Sequence, residues 1–162
     1  MEVENYGFML DQDELEALSR NIERSTGFVL AVTDHQDEFV EYFRSKYPSS
    51  VIYDLPTCRK KTDLIPEIED IIKDKRNTGK EILFIGLDVG ETEYDNPSGI
   101  LRTDREKEIA NINMLGCSFP ESARENNVRC ILAISRGMDK WIEVHAGDFR
   151  SRMLGFELDP EV

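Results

Sequence analysis

Apolar positions along this chain repeat in two ways, and the two alternate. Largely apolar runs occur at Phe28–Thr33, Val51–Leu55, Ile82–Asp88 and Val128–Ile134. Runs of this length, bounded by polar residues, are how strands buried on both faces of a parallel sheet read. Between them lie stripes spaced by three and four: Leu15, Leu18 and Ile22; Phe39, Val40 and Phe43; Ile68, Ile71 and Ile72; and Ile109, Ile112, Met114 and Leu115. Such stripes are the inward faces of helices.

The boundaries follow from capping and turn chemistry. Asp11, ahead of Asp13 and Glu14, predicts the start of a first helix over about residues 12 to 24. Asp34 is read as the N-cap of a second helix that runs to about Lys46, and Pro66 suits the first turn of a third over about residues 64 to 75. Pro56 to Thr62 reads as a loop. Residues 89 to 103 form the longest irregular stretch, with a dense turn signal at Asp95-Asn96-Pro97-Ser98-Gly99. Thr103 with Glu106 makes a capping box for a fourth helix, which Phe119-Pro120-Glu121 breaks or restarts. Asp139 to His145 predicts a short helix, Ala146 to Arg152 an irregular or helical segment, and Leu154 to Leu158 a fifth strand. The alternation predicts a three-layer α/β sandwich with a mainly parallel five-stranded sheet. One domain spans residues 1–162, residues 1–10 lead into it, and Ile82–Asp88 is expected as the central strand.

Composition narrows the class. The chain has 162 residues, long enough for one unstapled core, and 40% of them are apolar. No run approaches the roughly 18 apolar residues of a membrane span, and the acidic start lacks the basic region of a signal peptide. A cytoplasmic protein without membrane association is expected. Twenty basic against 33 acidic residues leave a net charge of −13, which repels a phosphate backbone and makes nucleic acid an unfavourable partner. Cys58, Cys117 and Cys130 are odd in number and lack metal-ligand spacing, so they suggest neither a disulfide framework nor a zinc site.

The candidate chemistry is carboxylate chemistry. Asp88 closes the third apolar run, at the sheet edge where α/β folds place their ligands. Asp34 follows the first run and Glu91 lies just beyond Asp88. If those acids met at adjacent strand ends, they would hold Mg²⁺ for phosphoryl or phosphodiester hydrolysis. Nothing in the spacing brings Cys117 and His145 together as a thiol dyad.

Two longer stretches are more specific. Glu14-Leu15 through Ser25, followed by Gly27-Phe28-Val29-Leu30-Ala31-Val32, resembles the opening of the P-loop-NTPase-like domain at the head of bacterial STAND and tetratricopeptide-repeat signalling proteins. The second half is similar to the same family at Ile112-Asn113-Met114-Leu115, Cys130 to Ile134, Ala146 to Arg152 and Gly155-Phe156-Glu157-Leu158. The resemblance implies that 28–33 precedes the phosphate loop, that 82–88 carries the Walker B acid, and that Ser135 stands at the sensor position. It also implies a sheet in which the first strand lies between the last two, flanked outward by the third and then the second.

A working phosphate loop needs glycines, a Lys for the phosphate charge and a Ser or Thr for the metal. Here the turn reads Thr33-Asp34-His35-Gln36-Asp37-Glu38, with no Gly, no Lys and three carboxylates. Repulsion there outweighs a helix-dipole attraction of about 1 kcal/mol. The expectation is therefore a degenerate, non-catalytic P-loop-like module that binds protein and needs no cofactor, with Asp34, Asp88, Glu91 and Ser135 as remnants of a nucleotide site. The family context implies signalling or defence in a bacterium or archaeon. Expected contact surfaces are loop 89–103, the basic trio Arg59-Lys60-Lys61, and the segment from Trp141 to Arg152, in which Arg150 and Arg152 would pair with acidic groups. Asp34, Asp88 and Ser135 also resemble the acids and hydroxyl of a response-regulator receiver. That alternative would use Asp34 and Asp88 to hold Mg²⁺ and phosphorylate Asp88.

Overall fold

A computed structural model describes residues 9–58, 64–88 and 104–160. Its first helix, α1 (Gln12–Arg24), starts where the sequence requires. The Asp11 carboxylate accepts the N–H groups of Asp13 and Glu14 at 3.0 and 3.1 Å, and Leu15, Leu18 and Ile22 are buried. The chain then alternates through β1 (Gly27–Val32), α2 (Gln36–Lys46), β2 (Val51–Asp54), α3 (Leu55–Cys58), α4 (Leu64–Lys73) and β3 (Glu81–Ile85). It continues through α5 (Asp104–Ala110), α6 (Ile112–Leu115), α7 (Phe119–Glu125), β4 (Arg129–Ile134), α8 (Arg136–His145), α9 (Gly147–Arg152) and β5 (Gly155–Glu157).

The strands form one all-parallel sheet in the order β2-β3-β4-β1-β5. β1 therefore lies between β4 and β5, with β3 and then β2 outward, as expected. Side chains alternate between the two faces. Val29 and Ala31 of β1 pack with Leu15, Leu18, Phe39 and Phe43 of α1 and α2, while Phe28, Leu30 and Val32 meet α4, α5, α7 and α8 on the other face. Both faces are covered, which is why the strands read as continuous apolar runs. No helix among the described residues is long and apolar enough to cross a membrane.

Several expectations are corrected. The Ile82–Asp88 run is not one strand: β3 stops at Ile85, because Gly86 takes a φ of +86° that other residues adopt only with strain. Nor is it central, since β4 occupies the middle position. Asp34 does not cap α2, whose N-cap residue is His35 with no side-chain bond. Leu55, expected to end the second strand, and residues 56–58, expected in a loop, form the helical turn Leu55–Cys58, in which the Leu55 side chain is fully buried. α8 begins three residues before the expected Asp139, because the Ser135 hydroxyl accepts the Met138 N–H at 3.0 Å and starts the helix there. Arg59, Lys60, Lys61, Glu91 and loop 89–103 lie outside the described residues.

Candidate functional site at the carboxyl edge of the sheet

The connections out of β1 and β4 diverge. From β1 the chain crosses by α2 on one face towards β2, and from β4 it crosses by α8 and α9 on the opposite face to β5. Adjacent strands whose crossovers leave on opposite faces open a crevice beyond their carboxyl ends, the place where open α/β sheets bind ligands. In this chain the crevice lies between the turn after β1, residues 33–35, and the start of α8 at Ser135 and Arg136.

The turn is internally satisfied. Thr33 is fully buried, and its N–H continues the ladder to the Ile134 carbonyl at 2.9 Å. Its hydroxyl donates to one oxygen of Asp159 and accepts the His35 N–H at 2.9 Å. The other Asp159 oxygen accepts the Asp34 N–H at 2.9 Å. The Asp34 carboxylate points the other way and accepts the N–H of Arg136 at 2.9 Å. So Asp34, expected to cap the helix after its own strand, instead caps α8 after the neighbouring one. Ser135 is likewise engaged in starting α8.

Two concavities border this turn. One, of about 380 Å³, is lined by Asp34, His35, Gln36, Asp37 and Glu38. The other, of about 910 Å³, lies beside β5 and is lined by Asp11, Glu14, Glu157 and Asp159 together with Arg136. Burial pushes the Glu157 carboxyl above its ordinary range, and the nearby Asp139 and Asp159 charges add to this, against the opposing pull of Arg136 and Arg150. The edge is thus built from carboxylates, where a triphosphate would need cations and free N–H groups.

Asp88 stands apart from this turn. It is exposed beyond β3, and its carbonyl accepts the Arg105 Nε–H at 3.3 Å. β4 lies between β3 and β1, so the two strand axes are separated by two inter-strand spacings, roughly 10 Å. The condition set for a shared Mg²⁺ site, that Asp34 and Asp88 meet at adjacent strand ends, is therefore not met. A receiver sheet runs 2-1-3-4-5 and sets its first strand beside its third; this sheet does not. Among the described residues, no group of three or more His, Cys, Asp or Glu is placed to hold a metal ion.

The C-terminal contact surface is also revised. Trp141 is 1% exposed and belongs to the core, where its ring stacks on His145 with centroids 4.2 Å apart. A helix stripe of Met138, Trp141 and Ile142 faces the sheet, so Trp141 presents nothing to a partner. Arg150 is spent inside the molecule: its Nε donates to Asp139 at 2.5 Å, and its guanidinium lies over Gly155. Of Trp141, Arg150 and Arg152, only Arg152 is exposed, in a pair with Asp148 at 3.4 Å.

Asp159, which closes the turn after β1, and Asp139, which holds Arg150, escaped sequence reasoning. Asp159 lies 126 positions from the hydroxyl it accepts. The one local signal was an acid directly after a short apolar strand, the same signal that singled out Asp88. No protein-family model, curated protein or solved structure matches this chain.

Proposed function

We propose that this chain is a non-catalytic, P-loop-like module that acts by binding a protein partner, in signalling or defence in a bacterium or archaeon. The observation that carries the reading is the turn from Thr33 to Glu38. By the P-loop resemblance it stands where a nucleotide's phosphates would lie, yet it has neither Gly nor Lys, and Asp34, Asp37 and Glu38 line the concavity. The all-parallel sheet with helices on both faces fits the frame that the P-loop resemblance implies, while the groups that would hold phosphate are missing, which favours a scaffold over a catalyst. Of the described candidates for partner contact, Arg152 is the one at the surface; the basic trio Arg59-Lys60-Lys61 and loop 89–103 complete the set.

The test is a thermal-stability series with Mg²⁺ plus ATP, Mg²⁺ plus beryllofluoride, and Mg²⁺ alone. A ligand that binds the native state must raise Tm by mass action. The expected result is no rise in any arm. A rise with ATP would sink the proposal. A rise confined to beryllofluoride and abolished by Asp88→Asn would replace it with the receiver reading, and a strong rise with Mg²⁺ alone would point to a carboxylate metal site.

A further inference from the structure

We propose that Asp159 is a built-in anion that occupies the donors of the turn after β1 and closes them to external anions. The proposal rests on the reading that this turn takes no nucleotide, and it names the group that keeps it closed.

The placement of Asp159 is tightly determined. Leu158 is fully buried, its N–H donates to the Val32 carbonyl at 2.9 Å, and its carbonyl accepts the Asp11 N–H at 2.6 Å. The next residue is therefore held over the carboxyl end of β1 with little freedom. From there one carboxylate oxygen takes the Thr33 hydroxyl and the other takes the Asp34 N–H. A hydroxyl and a backbone N–H gripped by two oxygens of one anion is the arrangement that an incoming carboxylate or phosphate would also make. Thr33 is fully buried, and its oxygen already accepts from His35, so Asp159 is the acceptor that satisfies its proton. Taking Asp159 away would cost the buried hydroxyl its acceptor, whereas the N–H of exposed Asp34 would turn to water. Because the competing carboxylate is tethered, an external anion meets it at a high effective concentration. Asp34 adds to the closure without sharing the role, since its own carboxylate is turned onto Arg136.

Chemical rescue tests this on the full chain. Asp159→Ala removes the anion and leaves room for a small one; Asp159→Asn keeps the space filled without the charge. Sodium formate, acetate and inorganic phosphate are titrated against sodium chloride at equal ionic strength. Wild type should show no anion-specific change in Tm. Asp159→Ala should lose roughly 3–10 °C and regain part of it, saturably, with formate. Asp159→Asn should lose stability and gain nothing from formate. An Asp159→Ala protein as stable as wild type, or one whose deficit none of the three anions reduces, would overturn the assignment. If Asp159→Ala does not fold, its refolding yield from urea with and without formate is the readout, and a yield that formate leaves unchanged counts against it. ATP stabilising the wild type would sink the non-catalytic reading, whereas failed rescue removes only the role given to Asp159.

Discussion

Replacing Arg150 tests how the C-terminal segment is used. Its Nε lies 2.5 Å from Asp139, with the two side chains 20% and 9% exposed, and the pair fastens α9 to α8. Arg150→Leu would leave the Asp139 carboxylate buried without this partner, and Glu157 would lose one of the two cations that act on it. Breaking a buried ion pair from one side costs about 3–5 kcal/mol. Arg150 keeps a fifth of its side chain in water, so about 2–4 kcal/mol is expected here. For a chain of this size that corresponds to a fall in Tm of roughly 5–15 °C. The comparison is Arg152→Leu, whose pair with Asp148 is 62% and 54% exposed and should contribute no more than about 0.5 kcal/mol. Urea unfolding followed by Trp141 fluorescence reads both, because the ring is buried in the native state. The double variant Asp139→Leu/Arg150→Leu removes both charges and should lose less than Arg150→Leu alone, since apolar replacement of a whole buried pair is often close to neutral. If Arg150→Leu behaves like Arg152→Leu, the pair is not structural, and Arg150 returns as a free contact for a partner.

Three further outcomes are expected. Gly86→Ala should destabilise by about 2–4 kcal/mol in the same urea assay, because the residue has φ +86° and a Cβ there would come within 2.6 Å of Asp54 Oδ1 and Pro56 Cδ. Gly147→Ala, with open space around the Cβ position, should stay within about 1 kcal/mol of wild type. Burial holds His145 below its ordinary value of 6.5, outweighing the pull of Glu106. The unfolded chain then takes up this proton first, so the contribution of His145 to stability is intact above pH 6.5 and declines as the pH falls from there towards the folded value. An NMR titration of the His145 ring gives the folded midpoint; a midpoint above 6.5 would reverse the sign.

Local chemistry made much of the frame legible before any coordinates. The Asp11 cap, the Leu15-Leu18-Ile22 stripe and the double-sided burial of Cys130–Ile134 are satisfied by residues near in sequence or by the uniform apolar demand of a covered strand. Composition and periodicity therefore determined the layers, the parallel sheet and most of the elements. They failed where one residue redirects the chain: Gly86 ends β3 ahead of Asp88, and Ser135 starts α8 early.

The edge chemistry was decided by tertiary structure. Sequence pattern shows that an acid follows a strand, but not which strand becomes its neighbour. Placing β4 between β1 and β3 separates Asp34 from Asp88, and placing β5 beside β1 brings Asp159 onto Thr33. A carboxylate's role depends on the donor it meets within about 3 Å, and for Asp34, Asp139 and Asp159 that donor comes from a different element. Periodicity carries the burial of a face because burial is nearly uniform along it. Hydrogen bonds are short and directional, so the partners at this edge exist only once the strand order has been set.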